Sequence, residues 1–167
     1  MTPESRAMLR IALRETSTDL LAYFERRVRS REDAADLLGE TMLQAWRRTD
    51  ALPETAERQR MWLFTIAAHV LANHARSVRR RTALADRLRD HLSTAPTSPD
   101  PAEASAVRDA VLRLHDAQRE LVMLIHWDGF TIVEAAELLG LNPSTARGRY
   151  AAARQALRQA LAETVSP

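Results

Sequence analysis

The sequence contains no cysteine, only four glycines and 5% aromatic residues. The absence of cysteine excludes disulfides, thiolate metal sites and cysteine nucleophiles. Runs of β-branched residues are also missing, and the strong helix formers Ala, Leu, Arg and Glu dominate instead. We therefore predict an all-α protein with no substantial sheet.

Other absences limit the function. No apolar run approaches the roughly 20 residues that span a bilayer, and MTPESRAMLRIALRE carries acids and arginines too early for a signal peptide. We expect a cytoplasmic chain that does not insert into a membrane. A Gly-rich phosphate loop, a nucleophile elbow and a paired-carboxylate motif are all missing, so we expect neither an enzyme nor a cofactor. His69 and His74 lie about 140° apart around a helix, which excludes a metal pair.

All 24 basic residues are arginine, and the formal net charge is +2. This usage has two explanations: GC-rich coding, or a need for a side chain that binds phosphates and base edges better than lysine does. The small net charge by itself does not indicate a nucleic-acid-binding protein. The distribution of the arginines is more informative.

The composition changes at STAPTSPDPAEAS, residues 93 to 105, where three prolines stand among small and acidic residues. Such a segment can neither hold a helix nor bury a core. We predict a flexible linker at 92–105 between two small helical domains, 1–91 and 106–167.

Three helices are predicted in the first domain. The first covers 5–29 and is either continuous or broken around 16–18. The second begins after the N-cap residue Ser30, and its apolar stripe is expected at Ala35, Leu38, Met42 and Ala45. The third covers 58–81, with a core stripe of Trp62, Ile66, Ala67 and Val70. Arg76, Arg79, Arg80 and Arg81 end this helix, which suits either stabilisation of its C-terminal dipole or phosphate binding.

Helices at 104–115, 117–126, 131–139 and 143–163 are predicted in the second domain, with WDGF as the turn between the second and third. The segment TIVEAAELLGLNPSTARGRY, residues 131 to 150, contains a capping-box signature at Thr131 and Glu134. Gly140 then ends one helix, and Asn142 and Pro143 begin the next. This spacing predicts a helix-turn-helix, whose second helix reads the DNA major groove. Two packed bundle helices with a solvated arginine face are the alternative.

Three segments in this order resemble the bacterial extracytoplasmic-function (ECF) sigma factors: EDAADLLGETMLQAWRR, RMWLFTIAAHVLANHARSVRRR and the segment from LHDAQREL to YAAARQAL. The resemblance implies a factor that binds core RNA polymerase and promoter DNA and directs transcription initiation. It also implies control by an anti-sigma factor, which covers both domains.

The resemblance further implies three sets of site residues. Core polymerase binding would involve the second helix at Asp36, Leu37, Glu40, Leu43 and Gln44. The single-stranded downstream promoter element would contact the third helix at His69, Asn73, Arg76, Arg79 and Arg80. The upstream promoter element would contact Ser144, Thr145, Arg147, Gly148 and Ala151. The family commonly has Gln at the position of Gly39, Asn at that of His69 and an aliphatic residue at that of Tyr150.

Two other classes of function stay open on the residues alone. A helix-turn-helix regulator would bind duplex DNA without polymerase, but it would leave the second and third helices unexplained. A helical interaction protein is the second alternative. Substitution of Asp36 and Glu40 distinguishes a sigma factor from a plain regulator, because only the sigma factor would lose polymerase.

Overall fold

The computed structural model describes residues 3–89 and 106–165, and every helix or strand element within those ranges is helical. The all-α prediction is thereby confirmed. The chain divides into two compact units, while the predicted linker at 92–105 lies outside the described residues. The α-helices are α1 Pro3–Glu25, α2 Arg31–Arg47, α3 Ala56–Arg89, α4 Ala106–Arg113, α5 Asp116–His126, α6 Ile132–Leu138 and α7 Pro143–Val165, and a short 3-10 helix, Thr49–Ala51, lies between α2 and α3.

The first unit is a bundle in which α1, α2 and α3 pack against one another. Its core contains fully buried leucines and an aromatic cluster. The Tyr23 ring meets Phe24 and Phe64 edge-on, with ring centroids 5.3 and 5.4 Å away. Each large side chain buried here stabilises the fold by about 1.5–3 kcal/mol, before cavity effects are counted.

Helix α1 is continuous and ends at Glu25, four residues before the predicted end. The polar residues at its centre do not break it, because Thr16 is buried between turns that also bury Leu13 and Leu20. Packing of this kind outweighs a weak local helix propensity. After the helix, Arg27 donates a hydrogen bond of 3.0 Å to the Tyr23 carbonyl, which lies in the last turn.

Helix α2 buries Ala34, Leu37, Thr41 and Ala45. Of the predicted stripe, Ala45 is confirmed, Ala35 is exposed, and Leu38 and Met42 are half-buried. The first three positions are thus shifted by one residue, and this part of the prediction was wrong because Thr41 reads as a polar position in the sequence. Its hydroxyl donates a hydrogen bond of 2.7 Å to the Leu37 carbonyl, so it can be buried at little cost. The N-cap prediction is confirmed, since the Ser30 hydroxyl accepts from the Asp33 amide at 3.1 Å.

Helix α3 continues to Arg89, eight residues past the predicted end. The reason lies in TALADRLR, which has no proline or glycine to stop a helix. The arginines at 76–81 consequently lie in the middle of the helix. Stabilisation of the C-terminal dipole, which falls off within the last turn, no longer explains their clustering.

The second unit contains α4 to α7, and α7 packs against each of the other three. One core cluster joins Val111 of α4 and Leu114, the residue after α4, to Val122 of α5 and Ala153 of α7. Arg119 of α5 binds carbonyls in the last turn of α4 and just after it. Its guanidinium donates to the carbonyls of Leu112 and Leu114, each at 2.9 Å. No helix in the described ranges is long and apolar enough to cross a membrane.

Candidate functional site

An acidic surface with one large apolar residue lies on α2. Asp36, Glu40 and Leu43 are exposed, Gln44 is half-buried, and the four fall within about 100° of arc. The Gln44 amide donates a hydrogen bond of 3.0 Å to the Glu40 carboxylate, and the Leu43 side chain is 52% exposed. We call these four residues the α2 face. An exposed leucine between acids suits a partner surface that is both apolar and basic.

Leu37 does not belong to the α2 face, although the family resemblance implied a polymerase contact there. Its side chain is 7% exposed and lies on the side of α2 that packs against α1 and α3. In this structure it supports the surface from inside the bundle. Gly39 lies at the edge of the α2 face, and a Cβ added to it meets no atom within 4 Å. The surface therefore has a shallow gap where the family commonly carries glutamine.

A basic surface lies on the part of α3 that follows the bundle core. His69, Asn73, Arg76, Arg79 and Arg80 are all exposed, and we call them the α3 face. All except Arg79 lie within about 60° of arc, and Arg79 flanks them. The buried stripe of α3 ends near Val70. From Val70 to Arg81 the helix carries arginines and no acid, which suits contact with a phosphate backbone.

Trp62 lies on the same helical line as His69, Asn73 and Arg76, at steps of 7, 11 and 14 residues. The sequence assigned it to the core, but the structure leaves it half-buried, while its neighbours Leu63 and Phe64 are fully buried. Its partial exposure makes it an aromatic neighbour of the α3 face. The signal in the sequence is its spacing. Trp62 lies 7 residues before His69 and 11 residues before Asn73, and both spacings return to the same side of a helix.

The turn between α6 and α7 has the predicted geometry. Thr131 and Glu134 form a complete capping box at the start of α6. At its end Gly140 has a φ of +63°, and the amide of Leu141 donates to the Ala136 carbonyl at 2.8 Å while that of Gly140 donates to Glu137 at 3.1 Å. These two bonds form a Schellman motif. The motif sets the short turn that aims α7 away from α6.

Helix α7 starts with a side-chain cap. The Asn142 side-chain oxygen accepts hydrogen bonds from the Ser144 amide and hydroxyl, both at 2.9 Å. In the first three turns of α7, the exposed side combines short side chains with Arg147 and Arg149. We call its predicted contact residues the α7 face: Ser144, Thr145, Arg147, Gly148 and Ala151. Short side chains and a helix N-terminus permit close approach to a phosphate backbone.

Metal chemistry has no site among the described residues, where no group of three or more His, Asp and Glu side chains is placed to hold an ion. His69 is exposed and His74 is half-buried, on different sides of α3. The three faces carry charge, hydrogen-bonding groups and apolar contact area, which are the groups that binding to a macromolecule uses.

Sequence profiles of two families match this chain. The profile described as Sigma-70 region 2 matches residues 13–81, and the profile described as Sigma-70, region 4 matches residues 104–157. The first match contains the α2 and α3 faces, and the second contains the α7 face. Their order along the chain is that of the two helical units.

Full-length relatives are similar along most of the chain. The RNA polymerase sigma factor CarQ of Myxococcus xanthus is 34% identical over 84% of this chain and 82% of its own length. The ECF RNA polymerase sigma factor SigL of Mycobacterium tuberculosis is 28% identical over 94% of this chain and 90% of its own length. Among solved structures, RpoE of Bartonella quintana, crystallised with the anti-sigma factor NepR, is 25% identical. It superposes with a TM-score of 0.62 and covers 99% of this chain and 100% of its own.

Proposed function

Because this chain belongs to the ECF RNA polymerase sigma factors, we propose that it binds core RNA polymerase through the α2 face and promoter DNA through the α3 and α7 faces. The observation that carries this proposal is the placement of the site residues. Every residue that the family resemblance implied, except Leu37, lies outside the buried core. The α2 face is acidic and contains one exposed leucine, whereas the α3 face is basic. The α2 face would therefore fit a partner with basic and apolar groups, and the α3 face would fit a negatively charged one.

The α2 face would dock on polymerase. Leu43 supplies an apolar centre and the carboxylates of Asp36 and Glu40 supply charge beside it. A leucine anchor surrounded by polar groups is the usual arrangement of a protein interface. The missing side chain at Gly39 is a departure from the family pattern, and it leaves this interface one polar contact short.

The α3 face would hold the separated strand of the downstream element. Arg76, Arg79 and Arg80 offer charges for the phosphates, and His69 and Asn73 offer hydrogen-bonding groups for an unstacked base. A protein that captures one strand needs both kinds of group. The arginines hold the phosphates, and the polar side chains bind the Watson–Crick edge of a base, which is free only after the strands have separated.

The α7 face would read the upstream element as a duplex. Ser144 and Thr145 stand at the helix N-terminus, where amides and hydroxyls bind phosphates, and Arg147 has the side chain that most often contacts guanine. The formal charge of +2 gives the free chain little general attraction to DNA. We therefore expect tight promoter binding only in the complex with polymerase.

Control by an anti-sigma factor is part of the proposal, and so is a location in the cytoplasm. The Bartonella relative of similar length was crystallised with such an inhibitor. A partner that covers the α2 face would compete directly with core polymerase.

The test is to purify this chain from its own cells together with any bound partner, and then to ask whether added core polymerase displaces that partner. A captured protein that stays bound alongside polymerase would contradict this part of the proposal.

Transcription by purified core polymerase tests the function. With the chain added to a genomic fragment library, we expect discrete new start sites that share two sequence elements. The variant Asp36→Arg with Glu40→Arg should lose co-elution with core polymerase and all of those starts. A matched control, Glu4→Arg with Glu15→Arg, makes the same charge change at two exposed positions of α1 and should keep both.

The contrary result is equally specific. A chain that neither co-elutes with core polymerase nor changes its start sites is not a sigma factor. If such a chain still bound duplex DNA through α7 at roughly nanomolar concentration, the affinity of a dedicated repressor, it would be a helix-turn-helix regulator.

A further inference from the structure

Tyr150 connects the inside of the second unit to its surface. The ring of this α7 residue packs against the cluster of Val111, Leu114, Val122 and Ala153. Its hydroxyl lies 2.8 Å from Nε2 of His126, the last residue of α5. The two rings are tilted by 30° with centroids 5.9 Å apart. One side chain thus contacts the core and ends in a hydrogen bond at the exposed end of a second helix.

The position of Tyr150 on α7 relates this contact to the α7 face. Around the helix, Tyr150 is about 60° from Arg147, while Ser144 and Gly148 lie on the far side. It stands between the buried residues and the DNA-facing ones. The Arg154 guanidinium lies 6.0 Å from the centre of its ring, one turn further along.

We propose that Tyr150 and His126 are positioning residues, which fix the orientation of α7 for upstream promoter recognition. This inference rests on the proposed function of α7. The hydrogen bond ties the third turn of α7 to the C-terminal end of α5, and Arg119 of α5 in turn binds the Leu112 carbonyl of α4. If α7 rotated about its own axis, this hydrogen bond would break. Apolar packing alone fixes the rotational position of a helix only weakly, because several packings of similar volume have similar stability.

The composition of the α7 face explains why orientation is decisive here. Gly148 and Ala151 have almost no side chain, and Ser144 has a short one. A long flexible side chain can follow a displaced phosphate or base, but short ones touch DNA only when the helix backbone itself is correctly placed. A rigidly held helix also loses less conformational freedom when it binds.

The hydrogen bond does not require one tautomer of the histidine. Nε2 can accept a hydrogen bond from the tyrosine hydroxyl, or the Nε2–H group can donate one to the tyrosine oxygen. The positioning role therefore lies in the pair of polar atoms. An aliphatic residue at position 150, which is usual in the family, would fill the core but offer no such bond.

The substitution Tyr150→Phe tests this inference, because it removes the hydroxyl and keeps the ring. The assay is a hydroxyl-radical footprint of the full chain with core polymerase, on a promoter fragment mapped by the transcription experiment. We expect upstream protection to need about 3- to 10-fold more complex, the effect of one modest hydrogen bond. The melting temperature and the co-elution with polymerase should stay close to those of the wild type.

Two variants of the partner separate positioning from general structure. His126→Leu should reproduce the loss, and Tyr150→Phe added to it should cost nothing further. His126→Gln, which can still hydrogen-bond the hydroxyl, should restore protection. Wild-type protection by Tyr150→Phe would overturn the inference, and so would a loss that follows a lowered melting temperature. If the wild type itself protects no upstream DNA, the proposed function of α7 fails first, and this inference fails with it.

Discussion

Arg76 donates a hydrogen bond from Nη2 to Oδ1 of Asn73, 2.5 Å away and one turn earlier on the exposed side of α3. The Asn73 oxygen is engaged by this bond, while the amide nitrogen keeps hydrogens for another acceptor. The pair therefore presents donors to an approaching strand, and the arginine holds the amide in one orientation.

Asn73→Asp is expected to change the base that is preferred in the downstream element. A carboxylate keeps the bond to Arg76 but can only accept, so it selects bases that present an amino group. Asn73→Ala should reduce promoter opening without a new preference. A promoter library randomised in the downstream element and sequenced as transcripts measures both. Identical preferences in the wild type and both variants would place base reading elsewhere.

Gly39→Ala should stabilise the first unit by about 0.5–1 kcal/mol. The reason is that glycine costs that much in a helix interior and the added Cβ meets nothing within 4 Å. Urea unfolding measures the change.

Gly39→Gln should raise the affinity for core polymerase, because it supplies the side-chain amide that the family commonly carries at this position. Weaker polymerase binding by Gly39→Gln would show that the partner occupies the gap.

Gly148→Ala is the matched substitution in α7, where the added Cβ also meets nothing within 4 Å. We expect a similar gain in stability, again about 0.5–1 kcal/mol, from the helix alone. Upstream promoter protection should nevertheless weaken, because in the proposed complex the added methyl group would project from the α7 face toward the DNA backbone. Unchanged protection would mean that this turn of α7 does not approach DNA closely.

Arg119→Ala should destabilise the second unit by about 2 kcal/mol, since it leaves the carbonyls at the end of α4 without their charged donor. Arg119→Lys should recover only part of this, because one ammonium group cannot match the guanidinium fork. Hydrogen exchange of the α4 and α5 amides reports the loss locally. Arg158→Ala, at an exposed position inside α7, is the control and should change stability by less than about 0.5 kcal/mol. Equal effects of Arg119→Ala and the control would contradict this account.

Local signals in the sequence predicted the helices and the turn of the second unit well. The capping box at Thr131, the left-handed Gly140 and the cap at Asn142 all act within about four residues, so their chemistry is readable from the chain alone. The family resemblance added which faces bind polymerase and DNA. These assignments remain predictions, residue by residue.

Tertiary structure decided the features that depend on distant residues. The sequence determined that α2 is a helix, but only packing against α1 and α3 selected Leu37 for the core and left Leu43 exposed. The bond between His126 and Tyr150 joins residues 24 positions apart. Hydrogen bonds along a helix depend on neighbours a few residues away, whereas burial and side-chain pairing between helices depend on how the elements come together. The sequence by itself therefore determined the elements, and the fold decided which side of each one is free to bind.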